Sequence, residues 1–330
     1  MREREQDVIE QYDLTFTGSR KGRGVMIYET EDTLYVLKTV KGSPARVMAQ
    51  ARFLERLKGA EDFFVEKYIP NKEGAYITKN EDGEHFLLKE YLDGREWNLE
   101  EESEILRGSR ILGTLHKWLC IPDEPAFPAP AAWSKEVDKH NRELKRTRNF
   151  IRERQKKTQF ELLFLELFNA FYEEAEAVRE KLKAFDEESL IRKAAEMGSL
   201  CHGEFTYHNL IHCRGRAAIL NFDKMYYGVQ MDDFYQYFRK IMEKNNWKES
   251  LAKKVLEAYK DSRGLSRLEA EYLYLRFAYP DKFWKIANHY VNGSKNRLIE
   301  KGQDKLESLR RQNEKRKEFL AFLEVWCKMC

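Results

Sequence analysis

Over roughly the first 95 residues the apolar positions recur with the two-residue period of half-buried strands, and beyond them with the longer period of helices. Tyr12 to Thr17 alternates apolar and polar and predicts a strand. Gly18-Ser-Arg-Lys-Gly22-Arg-Gly24 reads as a glycine-rich turn, followed by a strand over 25–30. An acidic turn at Glu31-Asp32 leads into a further strand over 33–38. Ser43 and Pro44 fit the cap and first turn of a helix that runs to Leu57, with Val47, Phe53, Leu54 and Leu57 apolar. Strands are expected over 74–78 and 85–91, ending at Leu92-Asp93-Gly94.

From there the pattern is helical. Ile105, Leu106, Ile111, Leu112 and Leu115 place a helix over 104–119. The segment 121–130 contains four prolines and predicts an extended connection. One long helical stretch is expected from about Ser134 to Met197, with an apolar stripe at Phe160, Leu163, Phe164, Leu167 and Phe171. Further helices are expected over 233–245, 248–259 and 267–278, with a long one from about Ser294 to Lys328. No internal repeat is visible. The pattern predicts a strand-rich lobe over 1–94, a hinge near 92–98, and a larger helical lobe over 95–330.

Composition narrows the class. The 330 residues are 42% hydrophobic and 13% aromatic, enough for a substantial core. The 59 basic and 56 acidic residues leave a net charge of +3, which argues against a nucleic-acid binder. No apolar run approaches the roughly 20 residues of a membrane span. Met1 to Gln11 lacks the apolar centre of a signal peptide, so the chain is expected in the cytosol unless another protein carries it elsewhere. Five scattered cysteines suggest reduced thiols, and Cys327-x-x-Cys330, without a second pair, is a weak metal or redox signal. The run from Lys139 to Lys157 holds nine basic and two acidic residues and reads as a solvated face, with an acidic partner as the alternative.

Phosphoryl transfer from a nucleotide needs a loop over the phosphates, a lysine that holds them, a carboxylate for the attacking hydroxyl, and oxygen ligands for magnesium. The chain offers these in order. Gly18, Gly22 and Gly24 lie between predicted strands, where bare amides can approach an anion. Lys38 ends the apolar run Tyr35-Val-Leu. His202-Gly-Glu204-Phe-Thr-Tyr-His-Asn209 leads through a turn into Ala217-Ala-Ile-Leu-Asn221-Phe-Asp223.

This last arrangement resembles the His-Gly-Asp-x-x-x-x-Asn loop and following strand of the aminoglycoside-phosphotransferase branch of the kinase superfamily. Leu112-Gly-Thr-Leu-His116 and the hinge-like Lys89-Glu90-Tyr-Leu-Asp-Gly94 are similar to that branch as well. Tyr207-His208-Asn209, Asp232-Asp233 to Arg239, Met242 to Trp247 and Phe277 to Ala287 resemble CotS-type spore coat proteins. The resemblance spans residues 12 to 290. It implies an α+β, protein-kinase-like two-lobed fold, with a small antiparallel-sheet lobe and a larger, mainly helical one. It also implies synthesis in the mother cell of a spore-forming bacterium, deposition on the spore coat, and other coat proteins as partners. Its site would comprise Glu204, His202 and Asn209 for catalysis, Gly22, Gly24, Lys38 and Glu90 for nucleotide, and Asn209, Asn221 and Asp223 for metal. ATP and magnesium are the implied cofactors.

Three departures weaken that implication. Glu204 stands where the family usually has Asp; the extra methylene shifts the carboxylate, and a misplacement of that order costs about 100-fold in rate. Asn221 stands where an Asp would bind magnesium, and an amide oxygen brings no charge. On a strand, Asp223 would share its face. Gln50 occupies the place of the helix glutamate that pairs with the strand lysine, and Glu55 is more than one turn out of register. Together they predict weak or absent catalysis and leave open that no cofactor is used. The alternative is an ATP/Mg-dependent phosphotransferase acting on a small molecule or a coat component. Cys201, His202, His208, His212 and Cys213 are dense enough for a zinc site to be a further alternative.

Overall fold

In a computed structural model, residues 3–22, 24–122, 126–127, 131–293 and 295–329 are described. The smaller lobe opens with α1 (Glu3–Ile9), then the strands β1 (Gly18–Gly22), β2 (Val25–Glu29) and β3 (Leu34–Thr39). The helix α2 (Pro44–Leu57) follows, capped by the Ser43 side chain accepting from the Arg46 amide, with Pro44 in the first turn as the sequence predicts. After it come β4 (Phe63–Val65), β5 (Tyr68–Ile69), β6 (Thr78–Lys79) and β7 (His85–Glu90). An antiparallel sheet in the order β1-β2-β3-β7-β5, with β6 also on β7, forms this lobe.

Two expectations fail at its start. Residues 12–17 form no strand: Tyr12 and Phe16 pack against Tyr28 and Tyr35 without entering the ladder. Their alternation reports burial against a sheet, not membership of it. The glycine segment read as a turn is instead β1, paired with β2 in register from Gly18↔Glu29 to Gly22↔Val25. Its side chains are almost all exposed, so no apolar pattern marks it, and only the tip at Gly24 (φ 77°) turns.

The chain continues with β8 (Arg95–Glu96) and the first long helix, α3 (Glu102–Trp118). The four-proline connection lies partly outside the described residues. The single helical stretch expected from 134 to 197 is three helices: α4 (Trp133–Glu153), α5 (Gln159–Ala184) and α6 (Glu187–Glu196). Thr158 and Glu161 form a reciprocal capping box at the first break, and Asp186 caps the second. The chain continues through β9 (Leu200–Cys201), β10 (Leu210–Cys213), β11 (Arg216–Ile219) and β12 (Tyr226–Tyr227). It closes with α7 (Met231–Lys244), α8 (Glu249–Arg263), α9 (Arg267–Ala278), α10 (Asp281–Asn292) and α11 (Lys295–Lys328). The stripe Phe160, Leu163, Phe164 and Phe171 is core, as read. On α4, Lys139, Arg142, Lys145 and Arg146 are exposed while Val137, Leu144 and Ile151 are buried, a solvated face over an apolar one. No helix among the described residues is long and apolar enough to cross a membrane.

A second sheet, β4-β11-β10-β8, takes strands from both sides of the hinge. Here β11 runs parallel to β4 (Ala217↔Phe63, Ile219↔Val65) and antiparallel to β10. This sheet brings the segment after Ile219 beneath the small lobe.

Candidate active site

The loop after β9 is fixed from below by one buried carboxylate. Asp233, in the first turn of α7, accepts from the His202 amide at 2.5 Å and the Gly203 amide at 2.9 Å. Burial pushes its carboxyl above the usual range, against the pull of His202 and the two amides. His116 lies on its far side at 3.4 Å and meets Tyr259 Oη at 2.7 Å. His202 is fully buried, and burial holds its imidazole below the ordinary value, hence neutral. Its Nε2 faces the Leu220 carbonyl at 3.0 Å and so carries the proton, leaving Nδ1 to accept from the Glu204 amide at 3.2 Å. Gly203 has φ 83°, and a Cβ there would fall 2.3 Å from the Lys224 carbonyl oxygen, so glycine is required. His202 is thus a structural member of the loop.

Glu204 points its carboxylate at Lys224 (2.9 Å), and its carbonyl accepts from Asn209 Nδ2 at 2.8 Å. Asn209 Oδ1 in turn accepts from Asn221 Nδ2 at 2.6 Å. The extended strand expected through Asn221 and Asp223 ends earlier: Asn221 is left-handed (φ 64°, ψ 58°) and residues 222–224 form a short helical turn. Asparagine tolerates that conformation well. The two side chains nevertheless meet at Lys38, whose Nζ donates to Asn221 Oδ1 and lies 3.7 Å from Asp223 Oδ2.

A second lysine, which the sequence places only in the hinge-like segment, joins them. Lys89, on β7, is 0% exposed, donates to Glu66 Oε1 at 3.0 Å and pairs with Asp223 Oδ1. Tyr68 donates to the same Asp223 oxygen at 3.2 Å, and its ring lies 5.0 Å from the Lys89 ammonium. Burial alone would raise the Asp223 carboxyl, but Lys89 and then Lys38 hold it below the usual range. Burial, and then the charge of Lys89, lowers the Lys38 ammonium, against Asp223 and Glu66. For Lys89, burial is outweighed by Glu66 and Asp223, and its ammonium stays charged. The signal was present: Lys89 interrupts the apolar run Phe86-Leu-Leu just as Lys38 does its own.

Gln50 stands on α2 where the resemblance places the lysine's glutamate partner. It is buried, and its Nε2 donates to the Phe222 and Asp223 carbonyls, both at 3.2 Å. Arg46 adds a bond to the Met225 carbonyl at 2.7 Å. Lys38 therefore takes its partners from the 221–223 turn rather than from the helix. A cavity of about 330 Å³ opens beside these groups, lined by Lys38, Lys41, Arg46, Gln50, Lys89 and Asp223 among others. Gly22 and Gly24 at the β1–β2 tip and Glu90 at the end of β7 do not line it.

The donor set fits a magnesium ion poorly. Asn209 and Asn221 are uncharged and bonded to each other, and the nearby carboxylate of Asp223 faces two ammonium groups. Among the described residues no group of three or more His, Cys, Asp or Glu is placed to hold a metal. The zinc set is dispersed onto other partners. His202 bonds Leu220, His208 pairs with Glu96 at 2.9 Å, and His212 stacks on Trp97 at 5.0 Å between ring centres.

The antiparallel lobe, the hinge and the loop anchored on Asp233 define a kinase-like fold of the phosphotransferase type. An aminoglycoside phosphotransferase from Alicyclobacillus acidocaldarius superposes with a TM-score of 0.86 at 17% identity, over 98% of this chain and 96% of that one. A microcompartment-associated aminopropanol kinase matches with a TM-score of 0.60 at 12% identity, over 91% of this chain and 93% of that one. A spectinomycin phosphotransferase, solved with ADP and spectinomycin, gives 0.57 at 12%, over 91% and 90%. The chain belongs to the family described as "Spore coat putative kinase YutH", whose model matches residues 5–323. A comparison with curated proteins returns no match.

Proposed function

We propose that the protein is a kinase-like component of the spore coat with weak or absent catalysis, made in the mother-cell cytoplasm and acting in coat assembly alongside other coat proteins. The observation that carries this reading is the engagement of Asp223 and Asn221 by Lys38 and Lys89. A magnesium nucleotide would have to displace two ammonium groups to reach the one carboxylate. Glu204, the remaining candidate for orienting a hydroxyl, is turned to Lys224. General-base work is worth roughly 100- to 10,000-fold, so its misdirection costs much of the rate.

The alternative, an ATP- and magnesium-dependent phosphotransferase acting on a small molecule or a coat component, draws on the intact frame of the His202–Asn209 loop. It requires Lys89 and Lys38 to release Asp223. Thermal-shift titration with Mg-ATP and Mg-GTP, with and without chelator, separates the two. The wild type is expected to show no magnesium-dependent stabilisation, and Asn221→Asp is expected to create one. A wild-type response near the about 2.7 kcal/mol of a ligand held at a hundred times its Kd would sink the inactive reading. The assembly role predicts that Glu204→Ala leaves incorporation into the coat unchanged.

A further inference from the structure

A concentration of basic side chains lies away from the cleft, in a cavity of about 700 Å³ between α7, α10 and the start of α11. It is lined by Arg239, Lys240, Lys282, Lys285, Lys301 and Lys305, with Glu243 the one acidic side chain in its wall among the described residues. Glu243 is already shared by Arg239 at 2.5 Å and Lys282 at 3.5 Å, and Lys285 is paired with Asp281 at 2.6 Å. Lys240, Lys301 and Lys305 have no anionic partner among the described residues. Lys240 is half-buried, and its ammonium is pulled below the ordinary value by burial and then by Arg239, with Glu243 opposing and Lys282 and Lys285 adding to the pull.

A chain whose total charge is only +3 does not gather six cations around one hollow without cost. Like charges at this spacing repel, and Lys240 is half-buried while Lys285, Lys301 and Lys305 reach solvent at the mouth of the hollow. An anion seated among them offsets that repulsion. The hollow is of the size that holds a small molecule rather than a flat protein face. One wall carries the half-buried Tyr290 ring, stacked at 4.8 Å between ring centres on the buried Phe160, with its hydroxyl bonded to Glu161. Compact ammonium groups suit phosphate oxygens as point charges. None of these residues lines the cavity between the lobes.

We infer that the cavity between α7, α10 and α11 binds a small molecule bearing a diphosphate, its charge met by Lys240, Lys301 and Lys305 and its planar part resting on the Tyr290 ring. The site is separate from the kinase-like cleft. The test is calorimetric titration of the full chain with inorganic pyrophosphate. The double variant K240Q/K305Q is compared with K139Q/R142Q, which removes the same charge from the exposed face of α4. The cavity variant is expected to weaken pyrophosphate binding by at least about tenfold, and the α4 variant by less than about twofold. Without ligand the cavity variant should melt at or above the wild-type temperature, because repulsion is relieved. Equal weakening by both variants, or no saturable binding of pyrophosphate, overturns the site. Tight binding of hexaglutamate with no binding of pyrophosphate also overturns it, in favour of an acidic protein segment.

Discussion

Lys89 and Glu66 are both buried, so removing the lysine strands a carboxylate out of water. K89M is expected to lower the unfolding free energy by about 3–5 kcal/mol, the range for breaking a buried pair from one side. The double variant K89M/E66Q should recover much of that, and urea unfolding around the four-member cycle measures the coupling. Asp223 complicates the site less, since its side chain is 43% exposed and water can replace the lost ammonium. Histidines set the pH dependence. His116 and His202 are held below the ordinary value by burial, and His140 is lowered to about 4, chiefly by burial. The unfolded chain binds protons at these sites near about pH 6.5, while the fold resists them. Stability should therefore fall as pH drops below about 6.5. Asp223 works at a lower range: its pairing contributes above the usual carboxylate pKa of about 3.9 and is lost as pH falls further. Urea midpoints at pH 7.5, 6.0 and 5.0 check the histidine contribution, and a flat profile contradicts it. At this scale the sequence exposed the loop, because His202 and Asn209 sit at fixed spacing on either side of the forced glycine, Gly203. It did not expose the Lys89–Glu66–Asp223 cluster, whose members meet only through tertiary packing.

Elements were legible where local chemistry marks them. Ser43-Pro44 announces α2, and α9 spans the expected 267–278, opened by a capping box of Ser266 and Glu269. The long stretch from 134 to 197 hid two breaks because its apolar period continues on both sides of them. The signals lay in Thr158 with Glu161 and in Asp186, which satisfy new helix starts. T158A should cost about 1 kcal/mol by removing that cap, read as a lower urea midpoint with an unchanged slope. Strands fared worse for a physical reason. Pairing is decided by distant partners, so the exposed glycine-rich β1 and the short β4 carry little local signal.

At the scale of the whole molecule, the sheet-rich start and helical remainder match a kinase-like fold, and the likeness to phosphotransferases covers nearly the full length. The lobes meet through side chains as well as backbone: Gln50 and Arg46 of the smaller lobe bond the 222–225 turn, and Lys38 and Lys89 converge on Asp223. The sheet that joins β4 to β11 adds a constraint of time. Arg216 reaches the Phe63 carbonyl across 153 positions of chain, and the β4 ladder has no partner until β11 exists. During synthesis the amino-terminal lobe therefore leaves the ribosome with an open strand edge, which closes only after about two thirds of the chain has been made. Such late, distant closure slows folding and leaves an edge for chaperones or for another chain to meet first. The order of translation therefore bears on what that edge pairs with first.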